Sequence, residues 1–380
     1  MISPPDFRLE VYLGRWEFAA AHHLTASDAE TLTVPELLDL GTDADRAAFD
    51  GLALRYVETW GGRELGEAVA AGYDHCGPEH VLCFSGAEEA MFWALQEVVG
   101  PGDHAVVLLP CYQSAESIPV ATGADVTGVP LEPDGGGWRL DLDAVRRALR
   151  PETRLVAVNF PNNPTGYVPD PATFRALAEL CDAEGIRLFS DEVYRGLELD
   201  PARTLPQAAD LSSAALSVGV MSKAYGLPGL RVGWLACRDR ALLERLERRK
   251  HYTSICNAGP SELLATIALK AGERIKARNR AIIEANLPVF GDFFARHDGL
   301  FEWRPPDGGC VAFPRYLGAD GVETMVRRAV EDEGVVLLPS SIYRSDLGEV
   351  PDDHFRIGVG RRDPEPGLAA WERSLKRAGS

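Results

Sequence analysis

The chain has 380 residues, room for two domains or three at roughly 100–200 residues each. Its 46% apolar and 25% charged content excludes a largely disordered chain. Lys plus Arg number 39 against 57 Asp plus Glu, a formal charge of −18, so the whole chain is a poor ligand for nucleic acid or an anionic membrane, although one local pocket can still be positive.

The N-terminal stretch, Met1 to Glu10, carries Pro4, Pro5 and Asp6 and no hydrophobic signal core. The longest apolar runs, such as Ala105 to Leu109 and Leu155 to Val158, are strand-sized and far below a membrane span. The cysteines at 76, 83, 111, 181, 237, 256 and 310 are scattered, with no Cys-x-x-Cys pair. Reduced thiols in a cytoplasmic protein, with no zinc or other metal site, are the expectation.

His80 to Phe84 reads as a strand, Ser85-Gly86-Ala87 as a turn and Glu88 to Val99 as a helix. Strands are predicted at Ala105 to Leu109, closed by Pro110, and at Leu155 to Phe160, closed by Pro161. A helix over Phe174 to Glu184 ends at Gly185, and strands follow at Arg187 to Ser190, Leu216 to Val220 and Val232 to Cys237. This alternation argues for a mostly parallel sheet covered by helices. Such sheets bind ligands beyond the carboxyl ends of their strands, where Asn163, Asp191 and Lys223 fall.

From Ala241 the pattern changes. Long helices are predicted at Ala241 to Arg249 and Ser261 to Ala295. Strands of a second, smaller domain follow at Gly308 to Pro314, Gly334 to Pro339 and Phe355 to Val359. The cluster Arg245, Arg248, Arg249 and Lys250, interleaved with Glu244 and Glu247, reads as a solvated helix face.

The chemistry concentrates in Ser222-Lys223-Ala224-Tyr225-Gly226-Leu227-Pro228-Gly229-Leu230-Arg231. A lysine here can form an imine with an aldehyde cofactor. Ser222 and Arg231 can offer a hydroxyl and a bidentate guanidinium to its phosphate. By itself the segment is equally a loop with a surface lysine. Two further segments break the tie: Pro161-Asn162-Asn163-Pro164-Thr165-Gly166 and Asp191-Glu192-Val193-Tyr194. With Tyr56, Gly61, Ser85-Gly86-Ala87, Tyr112 and Arg356 in this order, nearly the whole chain resembles the class I/II aminotransferases, the pyridoxal-phosphate (PLP) family that includes aspartate aminotransferase.

The resemblance implies an α/β fold of the aspartate-aminotransferase type, with a large cofactor domain and a smaller C-terminal domain. It divides the chain into an N-terminal arm over 1–45, a large domain over 46–258 and a small domain over 259–380. It implies that Lys223 holds PLP as an aldimine and moves the Cα proton through a carbanion. Asp191 would pair with the ring nitrogen, Asn163 and Tyr194 would bond the ring hydroxyl, and Tyr112 would stack on the ring. Gly86, Ala87, Ser222 and Arg231 would hold the phosphate, joined by Tyr56 from a second subunit of a homodimer with shared sites. Arg356 would clamp the substrate α-carboxylate, with Asn163 beside it. Ala87 stands where the family often has a hydroxyl residue, so one phosphate contact is missing or comes from elsewhere, with Ser85 a candidate. Asp191-Glu192-Val193-Tyr194 is the aminotransferase form, which disfavours the related acyl-CoA-condensing branch.

The arm carries a finer resemblance. Trp16-Glu17-Phe18, Ala26-Ser27-Asp28, Ser222 to Trp234 and His251-Tyr252-Thr253 are similar to the branch of capreomycidine synthase and the arginine-processing enzymes. It implies that Glu17 and Asp28 bind a guanidinium, as carboxylates match that planar cation. The plainer alternative makes Glu17 a solvated helix residue and Asp28 a helix cap. Glu116 is a further candidate, and His22 and His23 read as structural. The expected activity is transamination of an L-amino acid with a guanidino-type side chain, with a 2-oxo acid as acceptor. The alternative is γ-elimination or cyclisation of a canavanine- or hydroxyarginine-like substrate. A non-catalytic sensor is a third reading, disfavoured because the residues ahead of Tyr56 are too few for a DNA-binding module and linker.

Overall fold

The computed structural model describes residues 2–135 and 137–378. Seven strands form the central sheet: β1 (Val81–Phe84), β2 (His104–Leu109), β3 (Asp125–Pro130), β4 (Thr153–Asn159), β5 (Arg187–Asp191), β6 (Leu216–Val220) and β7 (Gly233–Ala236). Their spatial order is β1-β7-β6-β5-β4-β2-β3. β7 runs antiparallel to both neighbours, and every other pairing is parallel. Every residue of β1, β2, β6 and β7 is buried, as expected for strands covered on both faces. Gly219 in β6 is required by its neighbour: a Cβ there would lie 2.3 Å from the Trp234 ring. The α/β architecture is the one expected from the sequence.

β3 was not anticipated. It is an edge strand with exposed ends and contains Gly128 and Pro130, residues that weaken a strand signature but are tolerated at an edge. The long helix expected over Ser261 to Ala295 divides into Gly259–Lys270 and Gly272–Ala295, because Ala271 leaves helical geometry at φ −94°, ψ 12°. The basic cluster is only partly a solvated face. Lys250 is fully buried, and its ammonium donates to Thr59 O (2.5 Å), Cys83 O (2.7 Å) and Asn257 Oδ1 (3.0 Å). Three acceptors offset the cost of burying the charge. All seven cysteines are free, and six are buried. No described helix is long and apolar enough to cross a membrane.

The N-terminal segment lies against the C-terminal part of the chain. Helix α1 (Arg8–Trp16) is followed by His22–His23, which pairs in parallel with Val335–Val336. Gly358 N donates to Leu24 O at 2.8 Å, continuing the stitching beside the antiparallel strands Leu338–Pro339, Phe355–Gly358 and Val311–Ala312. Burial of a leucine such as Leu24 contributes about 1.5–3 kcal/mol to seating this segment. Residues 7–28 are thereby carried across the carboxyl ends of the sheet.

Candidate active site

A cavity of about 550 Å3 opens at that edge, between the strand ends and the N-terminal segment. Glu17, Asp28, Ala87, Tyr112, Asn163, Asp191, Tyr194, Ser222, Lys223, Arg231 and Arg356 all line it. Of the site residues expected from the sequence, only Gly86, Tyr56 and the further candidates Ser85 and Glu116 fall outside its lining. Gly86 borders it through the backbone, with φ +96° and an absent Cβ that would lie 2.5 Å from an Arg231 guanidinium nitrogen. Tyr56 is 87% exposed and outside the cavity of a single chain.

The phosphate end comes from helix α2 (Ala87–Val98), which follows β1. Its N-terminus has no side-chain cap, so its first amides are open donors. A Cβ on Gly233 would lie 2.6 Å from Ala87 N, so only glycine allows β7 to pass this close. Ser85 N is taken by Glu89 Oε2 at 2.8 Å. Arg231, at φ +51°, forms no ion pair among the described residues and can turn its charge to an anion.

Deeper in, Asp191 ends β5 with its carboxylate buried and accepting only from Val193 N at 3.2 Å. Burial raises its pKa to about 7; Val193 N–H and the Lys223 charge pull it down and Glu88 pushes it up. A ring cation beside it would relieve that penalty. Tyr194 Oη is buried beside the Ser27 hydroxyl but meets no partner in full hydrogen-bond geometry, which leaves it open to a ligand polar atom. Burial lowers the Lys223 pKa, Arg356 acts in the same direction, and Asp28 and Asp191 oppose it. A lysine more readily deprotonated is a better nucleophile. The orphaned tyrosine, the costly aspartate, the glycine cradle and the destabilised ammonium together fit pyridoxal phosphate.

Arg356 is 1% exposed. It donates to Tyr343 Oη (2.8 Å), Thr25 O (2.9 Å), Asn163 Oδ1 (3.2 Å) and Thr25 Oγ1 (3.3 Å). All four acceptors are neutral, and no carboxylate pairs with it among the described residues. A buried guanidinium held this way is strongly favourable to an incoming carboxylate. Asn163 is in turn oriented by Asn159, whose Oδ1 accepts from Asn163 N at 2.7 Å.

Besides Asp191, three carboxylates line the cavity without an ion-pair partner among the described residues: Glu10, Glu17 and Glu88. Burial raises the Glu88 pKa, Ser114 Oγ–H bonding opposes this, and Glu10 adds to the rise. Asp28, expected to meet a substrate guanidinium, instead accepts three hydrogen bonds from the chain's own Arg361, at 2.8, 2.9 and 3.2 Å. Glu116 lies outside the cavity, pairing with Arg8 at 3.2 Å and accepting from Ser345 Oγ at 2.5 Å, so it anchors the arm. His22 and His23 form the short strand. His23 also lines the cavity, with burial and Arg361 lowering its pKa.

Sequence reasoning missed Thr25, Tyr343 and Arg361, which have no local motif, and Glu10 and Glu88, which had signals. Glu10 and Glu17 are seven residues apart, two helical turns on one face, and Glu88 directly follows the phosphate turn.

The fold and the cavity lining are those of an enzyme that binds a cofactor at the strand ends of a mostly parallel sheet. The family of aminotransferases class I and II matches residues 23–365, and the chain belongs to it. It is thus a pyridoxal-phosphate-dependent enzyme of the aminotransferase type. Capreomycidine synthase of Streptomyces vinaceus is 33% identical over 98% of this chain and 94% of its own. Arginine–pyruvate transaminase AruH of Pseudomonas aeruginosa is 30% identical over 78% of this chain and 72% of its own. Among solved structures, the PLP-dependent cyclase OrfR superposes with a TM-score of 0.89 at 27% identity, covering 99% of this chain and 98% of that one.

Proposed function

We propose that the enzyme acts on an L-amino acid whose side chain carries a guanidinium or a similar planar cation. One observation carries this reading: the cavity joins an unpaired buried cation, Arg356, to three unpaired carboxylates, Glu10, Glu17 and Glu88. Such a charge arrangement complements a zwitterion with a second, distal positive charge. The arginine named in one relative, a transaminase, supports the same substrate class.

Bound here, pyridoxal phosphate supplies an electron sink that makes the substrate Cα–H bond acidic. Arg231, Ser222 and the amides of Gly86 and Ala87 hold the phosphate. Asp191 would stabilise positive charge at the ring nitrogen, Asn163 and Tyr194 would offer hydrogen bonds to the ring hydroxyl, and Tyr112 would pack against the ring. Arg356 fixes the α-carboxylate, and Lys223 Nζ takes the Cα proton and returns it. Glu17 leads the side-chain recognition, since Asp28 is occupied by Arg361. The division into an arm (1–45), a large domain (46–258) and a small domain (259–380) belongs to this reading. So does a homodimer in which Tyr56 reaches the partner's phosphate site.

Transamination to a 2-oxo acid is the leading reaction, and γ-elimination or cyclisation of a canavanine- or hydroxyarginine-like substrate the second, supported by the likeness to a PLP-dependent cyclase. A panel of amino acids, each with and without pyruvate or 2-oxoglutarate, separates them by product mass. Turnover that needs an acceptor supports the first. A cleaved or cyclised product without one supports the second. Preference for neutral or acidic side chains would overturn the cationic substrate class, and absence of any turnover would favour a sensor.

A further inference from the structure

We propose that Ser27 is a positioning residue for Lys223: its hydroxyl, delivered by the N-terminal segment, keeps the lysine amine aimed through both of its protonation states. The inference rests on the reading of Lys223 as the cofactor-bearing lysine. Lys223 Nζ donates to Ser27 Oγ at 2.8 Å, its one hydrogen bond among the described residues. The two residues come from opposite ends of the architecture, Lys223 from beyond β6 and Ser27 from the segment packed on the C-terminal part of the chain.

The backbone around Ser27 is fixed on every side. A Cβ on Gly358 would lie 2.2 Å from Ala26 O, and one on Gly226 would lie 2.6 Å from Glu30 O. Ala29 N donates to Lys223 O at 3.3 Å, and Asp28 is held by Arg361. Ser27 thus meets the lysine in a seat with little freedom. Four groups face Nζ electrostatically: Asp28 from the same segment, Asp191 from β5, Arg356 from its strand and the buried thiol of Cys310. Ser27 is the hydroxyl member of this shell, and it also lies beside the buried phenol of Tyr194.

A hydroxyl suits this place for a chemical reason. It accepts from an ammonium and can donate to the lone pair of a neutral amine. The proposed proton transfer requires Nζ to pass between these states, and the serine keeps a bond in each without itself gaining or losing a proton. A carboxylate at the same point would hold the amine as ammonium; an alanine would leave it unaimed.

The test uses the full-length chain. Cofactor-free wild type, Ser27→Ala and Ser27→Thr are labelled with an amine-acylating reagent across pH, and modification of Lys223 is followed by peptide mass. Because the hydroxyl favours the charged amine in a site that disfavours charge, Ser27→Ala should lower the labelling midpoint by about one pH unit, with Ser27→Thr at the wild-type value. In the holoenzyme, Ser27→Ala should lower kcat several-fold and leave KM within twofold, with an unchanged thermal midpoint. An unshifted midpoint in Ser27→Ala, or the same shift in Ser27→Thr, overturns the proposal. Failure of wild-type Lys223 to take up pyridoxal phosphate would defeat the underlying reading while leaving the labelling comparison intact.

Discussion

Asp191, Asn163 and Lys223 reach the cavity from the ends of buried strands, whereas Glu10, Glu17 and Ser27 reach it from a helix and an extended segment stitched to the C-terminal part of the chain. The first group is fixed by the sheet itself: a parallel sheet puts successive strand ends side by side. The second depends on how the N-terminal segment is seated. Under the proposed function the cofactor chemistry is built from the strand ends, while the docked segment supplies side-chain recognition and delivers Ser27 to Lys223, so changes in the two should have different signatures.

The sharpest break is Lys223→Ala. It should abolish the cofactor's lysine-bound absorbance and lower kcat by roughly 10^3-fold or more. Retention of both would displace Lys223 from the centre of the site. Arg356→Ala should raise KM for every amino acid about 10- to 100-fold, as expected for lost bonds to a charged carboxylate. An effect confined to cationic substrates would remove Arg356 from α-carboxylate binding.

Glu17→Gln should behave in the opposite way. Its expected cost is about tenfold in KM for a guanidino substrate and little for a neutral one of similar length. Equal losses on both would remove Glu17 from side-chain recognition.

A pH experiment sharpens the strand-end half without substrate. The Asp191 carboxyl is raised to about 7 when buried without a cation. The folded state therefore holds a proton that the unfolded state has already released, and this contribution to stability, complete below about pH 4, is lost as the pH rises through 7. Cofactor-free protein should show a thermal midpoint that falls over that interval, and Asp191→Asn should fall less. Glu192, also raised to about 7 by burial, leaves a residual slope in the variant. Identical slopes would show that Asp191 does not titrate as described. The smallest effect belongs to Arg8→Ala, which removes the partly exposed pair to Glu116 and should alter KM only a few-fold.

The same contrast explains what was legible in the sequence. The alternation of apolar runs and helices, with polar residues just beyond the runs, located β1, β2 and β4–β7 and the strand-end residues, because local pattern and site coincide there. The edge strand β3 was hidden by its exposed ends, and the break at Ala271 by the helical propensity on both sides of it. Lys250 looked like one more surface cation, because its three acceptors come partly from residues distant in sequence. Asp28 could be recognised as a partner for guanidinium, but that the guanidinium is Arg361 depends on a contact across the fold. Thr25 and Tyr343, which orient Arg356, meet it only once the N-terminal segment is in place.

The pairing of His22–His23 with Val335–Val336 has a consequence for biosynthesis. The arm leaves the ribosome long before its partner strand exists. The sheet can assemble as its strands appear, but the wall bearing Glu17 and Ser27 must wait until residues beyond Val336 have emerged. Long-range closure of this kind is slow relative to local folding. A nascent chain can therefore form the phosphate cradle before the wall bearing Glu17 and Ser27 is seated, and the cavity closes only once Val335–Val336 have emerged.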